Sequence, residues 1–308
     1  MRSATLVDVT ANKSTNDRSN RTHAMASFDW AGLRFQLLGW VAPAVAQRRA
    51  LARFLTPPKP RIGFGKMPEF PHLSSDRFGV KLETSMGGIA ETTDLAVTVW
   101  GRGPAVYLLH GWGGRSTQWS SFVEPLTRAG LTVVAFDAPG HGQSPAPRTS
   151  IPHFAPALAA VVESVGPARA IVGHSLGGVA ASFALGRGLR TERVAFLGSP
   201  ADPSKFLAGF LAQIGLPRHL HAALRDRFES EYGFASNELP LRPPPGSAPL
   251  PALVVHDRDD REVPYASADA ILRAWPDAKL VTTSGLGHQR ILRDASVIER
   301  VVAFAAGD

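Results

Sequence analysis

The stretch "IVGHSLGGVA" at 171–180 carries the first chemical signal in this chain. Gly173-His174-Ser175-Leu176-Gly177 fits the GxSxG pattern, in which serine occupies a sharp strand-to-helix turn and the flanking glycines let neighbouring backbone pass without a Cβ clash. Such a turn exposes Oγ and sets it beside the N–H groups that open the following helix. A serine hydroxyl is a weak nucleophile, so acyl chemistry at this position needs a base within hydrogen-bond reach and an acid to orient that base. Read alone, the pentapeptide is equally a glycine-rich loop with no chemistry. Its position after "RAIV" and before the helical pattern of "VAASFAL" favours the turn.

Around it, strand-like and helix-like segments alternate. "KLETS" and "LAVTVW" read as an opening antiparallel pair, and "AVYLLHG", "LTVVAFD", "RAIVG", "RVAFLG", "PALVVHD" and "KLVTTSG" follow as short apolar runs, with helical patterns between several of them, for example at 154–165 and 179–186. Strands buried on both faces with intervening helices imply an α/β architecture, a mostly parallel eight-stranded sheet flanked by helices. In such a sheet ligands bind beyond the carboxyl ends of the strands. Five strand exits are chemically unusual here: "HGWGG" at 110–114, "DAPGHGQS" at 137–144, "GHSLGG" at 173–178, "HDRDDREVP" at 256–264 and "GLGH" at 285–288.

Composition narrows the function classes. The 308 residues contain no cysteine, which excludes disulfides, a thiolate nucleophile and cysteine-based metal sites, and suits a reducing cytoplasm. With no HExxH pair and no compact His/carboxylate cluster, no metal site is expected. Residues 1–66 hold 11 of the 33 basic and 3 of the 26 acidic residues, a net of +8, and the remainder carries −1. The positive charge therefore describes what the N-terminal segment touches and argues against a nucleic-acid partner for the rest.

Residues 1–24 are polar and aperiodic, and read as a disordered tail that need not belong to the natural product, since Met25 offers a second start. Residues 25–66 read as a basic amphipathic helical extension, kinked at Pro43, followed by a proline-rich linker at "TPPKP". Packing on its own domain is the preferred reading of that helix, with peripheral contact to a membrane surface as the alternative. The main domain runs over 67–308. Within it, Phe206, Leu207, Phe210, Leu211 and Ile214, then Leu220, Leu224 and Phe228, recur at helical spacing. A small helical cap at about 201–248 over an apolar acyl pocket and plain packing on the domain account for these stripes equally well.

The five motifs in this order resemble the α/β-hydrolase family over roughly residues 79–305. In that family the triad runs serine, acid, histidine, which implies Ser175 as nucleophile and His288, the one histidine C-terminal to the candidate acids, as base. Asp257, Asp259, Asp260 and Glu262 crowd the acid loop. The family often carries Asp three residues ahead of Val-Pro there, a spacing matched by Asp260, which is preferred over Asp257, with Asp202 a third choice. The other acids are expected to be solvated or paired with Arg258 and Arg261. Resemblance to the family's oxyanion hole implies the backbone N–H groups of Trp112 and Leu176. His110, His141, His174 and His256 are expected to brace loops.

The resulting expectation is a serine hydrolase acting on a small-molecule carboxylic ester without a cofactor. A thioesterase or acyltransferase using the same triad and a catalytically silent α/β-hydrolase-like binding protein are the alternatives. A dinucleotide-dependent oxidoreductase is disfavoured because no convincing GxGxxG opens the first helix. The physiological substrate, its acyl length and the oligomeric state are not legible from the sequence.

Overall fold

The computed structural model describes residues 30–58, 67–86, 89–246 and 249–308. The expected disordered tail at 1–24 lies outside these residues, as does the end of the linker.

Two helices come first, α1 (Trp30–Val41) and α2 (Pro43–Phe54). They replace the single helix kinked at Pro43 that was expected within 25–66. Pro43 cannot donate an N–H and restrains Ala42 before it, so the chain breaks there and α2 restarts with the proline in its first turn. The sheet begins with the long antiparallel pair β1 (Ser75–Met86) and β2 (Ile89–Trp100), then continues with β3 (Ala105–Leu109), β4 (Thr132–Phe136), β5 (Ala168–His174), β6 (Val194–Leu197), β7 (Ala252–Asp257) and β8 (Lys279–Thr283). Its order is β1-β2-β4-β3-β5-β6-β7-β8, and all pairings from β4 to β8 are parallel.

The connecting helices are α3 (Ser120–Arg128), α4 (Ile151–Val165), α5 (Leu176–Gly186), α6 (Ser204–Gln213), α7 (His221–Tyr232), α8 (Ala266–Ala274), α9 (Gly287–Arg290) and α10 (Ala295–Ala306). Because strand side chains alternate faces, β3 sends Tyr107 and Leu109 into one core and Val106 and Leu108 into the other. The first core packs against α4, α5 and α8, and the second against α3 and α10. All five residues of β3 and of β4 are buried, which is why both read as continuous apolar runs. β8, at the sheet edge, is only partly covered. No helix among the described residues is long and apolar enough to cross a membrane.

The stripe residues between β6 and β7 fall in α6 and α7, with Ile214 and Leu220 flanking the turn between them. Leu207, Leu211, Leu224 and Phe228 are buried, whereas Phe206 is exposed and Phe210 half-buried. The two helices pack against α2, with the Phe54 ring 5.3 Å from Phe210 and 5.8 Å from Phe228.

Candidate active site

The chain runs from β3 to β4 on one side and then crosses to β5 on the other, so the strand order reverses between β3 and β5. Loops leaving the two strands diverge at that point and open a crevice. "HGWGG" leaves β3 there, and Ser175 follows β5.

Ser175 has φ 53° and ψ −125°, the one positive φ at a non-glycine residue among the described residues. An L-residue adopts this conformation only when its surroundings hold it. Its N–H donates to the Leu197 carbonyl of the neighbouring strand at 2.9 Å, and its own carbonyl accepts from Gly178 at 3.1 Å. At Gly177 a Cβ would stand 2.4 Å from the Leu109 carbonyl oxygen, so this position must be glycine for the elbow to pack on β3.

Asp260 lies in the loop after β7 and His288 in α9, just beyond β8. Beyond β8 the chain closes one helical turn, and His288 lies within it. His288 Nδ1 donates to Asp260 Oδ2 at 2.7 Å, with both side chains buried. The other carboxylate oxygen of Asp260 accepts from the N–H groups of Glu262 and Val263, each at 2.8 Å. Burial pushes this carboxyl up, but the His288 bond and those N–H groups outweigh it and hold Asp260 below the ordinary carboxylate range.

Asp257 is placed differently. It is fully buried, and its Oδ2 accepts from the Thr283 hydroxyl at 2.7 Å and the Leu286 N–H at 3.1 Å, while Oδ1 accepts from Asp259 N–H. It ties the loop after β7 to the loop after β8. Asp259 binds the Gly285 N–H at 2.7 Å, and Arg258 lies 4.8 Å from the centre of the Tyr265 ring. Asp259 is exposed, as expected of a solvated acid, whereas for Asp257 the expectation of solvation or an arginine partner is corrected: it is buried and satisfied by N–H and hydroxyl donors of its own loop, of β8 and of the loop after β8. Asp202 accepts from Ser204 N–H at the start of α6.

The histidines outside the pair brace the site. His174 Nε2 donates to the His288 carbonyl at 2.9 Å, with the two rings 4.6 Å apart. His110 donates from Nδ1 to the Gly111 carbonyl and accepts the Ala138 N–H at Nε2, and His141 Nε2 accepts the Gly113 N–H at 2.9 Å. Burial keeps them neutral, with His141 and His174 each lowered to about 3, the latter also by the neighbouring His288. His256 is buried and donates to the Val263 carbonyl. Sequence reasoning foresaw loop bracing but not that His174 would hold the backbone of residue 288, a contact between residues 114 positions apart.

Ser175, His288, Trp112 and Leu176 all line one pocket of about 250 Å³. Among the described residues the Trp112 and Leu176 N–H groups have no protein acceptor. A larger cavity of about 800 Å³ adjoins this pocket, sharing Pro58, Trp112, Leu176 and Phe206 with it. Among the described residues no His, Asp and Glu cluster of metal-binding form occurs.

The model of the alpha/beta hydrolase family matches residues 106–304. Among curated proteins, the chain is 29% identical over 257 residues to a pimeloyl-[acyl-carrier protein] methyl ester esterase of Xanthomonas campestris, covering 68% of this chain and 98% of that protein. It is 27% identical over 246 residues to a 2-hydroxy-6-oxononadienedioate/2-hydroxy-6-oxononatrienedioate hydrolase of Dechloromonas aromatica, covering 64% and 84%. Among solved structures, an esterase from Exiguobacterium antarcticum superposes with a TM-score of 0.54 at 18% identity, covering 74% of this chain and 99% of that one, a likeness of fold.

Proposed function

Because the chain belongs to the alpha/beta hydrolase family, we propose that it is a serine hydrolase that cleaves a carboxylic ester through an acyl-enzyme intermediate on Ser175. One observation carries this reading: His288, bonded to buried Asp260 at 2.7 Å, lines one pocket with a serine held at positive φ. With Nδ1 committed to Asp260, the Nε2 atom of His288 is the ring nitrogen left to serve Ser175. Oγ attacks the acyl carbon as Nε2 takes its proton, and the tetrahedral oxyanion is stabilised by the N–H groups of Trp112 and Leu176. The C–O bond to the alcohol then breaks, and the alcohol leaves with the proton from His288. Water, deprotonated by the same nitrogen, attacks the acyl-enzyme and releases the carboxylic acid and free Ser175. Asp260 stays ionised and stabilises the imidazolium of each transition state.

The methyl ester esterase among the curated relatives supports an ester bond. Thioester cleavage and acyl transfer would use the same residues, and p-nitrophenyl acyl esters set beside acyl-CoA thioesters discriminate them. A fluorophosphonate probe is expected to label the wild type and not Ser175→Ala. A folded wild type that resists labelling would favour a silent binding protein instead.

The outer face of the N-terminal helices supports a second role. Leu37, Trp40 and Val41 are 58%, 69% and 84% exposed, and α1 and α2 carry arginines but no acidic residue. That combination fits reversible docking on an anionic bilayer surface.

A further inference from the structure

We propose that the N-terminal helical extension completes a second chamber of the active site, and that this chamber receives an acyl chain ending in a carboxylate. The proposal rests on the serine hydrolase reading for the identity of the reacting end.

The chamber is the 800 Å³ cavity, a size suited to a small organic ligand. It meets the catalytic pocket at Trp112 and Leu176, the two residues assigned to the oxyanion. An acyl group whose carbonyl oxygen sits at those N–H groups therefore has its chain at the chamber's entrance.

One wall belongs to the extension. Arg53, Phe54, Thr56 and Pro58 line the cavity, opposite residues of α6 and α7. This wall is anchored: Leu51 and Leu55 are buried in the main core, the Leu55 carbonyl accepts the Thr149 N–H at 2.8 Å, and a Cβ at Gly113 would stand 2.8 Å from Pro58 Cγ. The extension thus touches the oxyanion loop itself.

The middle of the chamber is apolar, with Phe54, Phe210 and Phe228 clustered in its lining. Its charge is one-sided. Arg53, Lys205 and Arg225 line it, and no Asp or Glu does. Arg225 is neutralised by Asp226 at 3.0 Å and Glu229 at 3.7 Å. Arg53 and Lys205 form no ion pair among the described residues, and Asp202, the acid nearest in sequence to Lys205, lies outside the lining and binds the Ser204 N–H. On the same lining, Thr149 is fully buried and its hydroxyl has no hydrogen-bond partner. Arg53 and Lys205 are exposed on this lining, and a wholly hydrocarbon chain would cover its aromatic part without engaging either cation. A terminal carboxylate supplies charge-assisted hydrogen bonds to both cations.

Calorimetric titration with octanedioate and octanoate at pH 8 tests this, since the two differ only in the far carboxylate. The wild type is expected to bind octanedioate about tenfold more tightly, and Arg53→Gln/Lys205→Gln to bring the ratio close to one. Equal affinities in the wild type, or a preference that survives the double substitution, would overturn the proposal. Fluorophosphonate labelling of the same preparation reports on Ser175 separately. An unlabelled protein that still prefers the dioate loses the hydrolase reading and keeps the cationic chamber; a labelled protein indifferent to the second carboxylate does the reverse.

Discussion

At the scale of single residues, two aspartates three positions apart do different work. Asp260 lies against the imidazole, and Asp257 closes a bracket between two loops. Substituting each with asparagine separates the roles. Asp260→Asn is expected to lower kcat by about 10³–10⁴-fold, because the amide cannot stabilise an imidazolium and favours the wrong ring tautomer, while the N–H groups of Glu262 and Val263 keep an acceptor. Asp257→Asn exchanges an acceptor for a donor that faces N–H groups, and is expected to lower Tm by several degrees with the smaller loss of kcat. Steady-state kinetics and thermal denaturation of both variants check this; the opposite pattern would move the acid to Asp257. The Val-Pro spacing made Asp260 the preferred choice, but the residue types alone left both open. Only the path of the chain after β7 aims one carboxylate at the ring.

At the scale of elements, α1 and α2 form a unit with two faces. The inner face, with Ala46, Ala50, Leu51 and Leu55, is lost in the core, and the outer face leaves Leu37, Trp40 and Val41 in water. Burying those three side chains in a bilayer interface is favourable by about 1.5–3 kcal/mol for each large one, with arginines adding attraction to anionic headgroups. Co-sedimentation with vesicles is expected to be stronger for phosphatidylserine-containing than for zwitterionic vesicles, to weaken with salt, and to fall about tenfold for Leu37→Ser/Val41→Ser. Equal sedimentation of wild type and variant would remove the docking face. Pattern reading identified an amphipathic segment here and left packing and membrane contact as rivals. The structure packs the inner face on the domain, and the vesicle experiment decides whether the outer face also meets a membrane.

At the scale of the whole molecule, several neutral histidines are packed into the sheet's carboxyl edge. Burial lowers His141 and His174 to about 3 and His153 to about 4, from an ordinary value of 6.5. The unfolded chain takes up protons at these positions below about pH 6.5, whereas the folded chain does not until far lower, so the unfolded state binds more protons across that window. Stability is therefore full above about pH 6.5 and declines as pH falls toward 4, with the Asp260 contribution lost at still lower pH as its carboxyl protonates. Thermal denaturation between pH 8 and 4.5 is expected to show a Tm plateau followed by a steady fall. His153→Asn, which removes one such group, is expected to make that fall shallower. A Tm independent of pH below 6.5 would contradict the neutral, buried state of these rings.

The alternation of apolar strand runs with helical patterns, and the glycines around Ser175, were enough by themselves to establish a mostly parallel sheet with a serine turn at a strand exit. Both are local: period, burial and turn sterics are written in neighbouring residues. Residues that meet across long sequence separations could not be read that way. The hold of His174 on the backbone of His288 and the docking of Phe54 and Pro58 beside the oxyanion loop each join segments far apart in the chain. Those contacts depend on how loops leave the sheet and on which faces remain to be covered, and packing of the complete fold decides that.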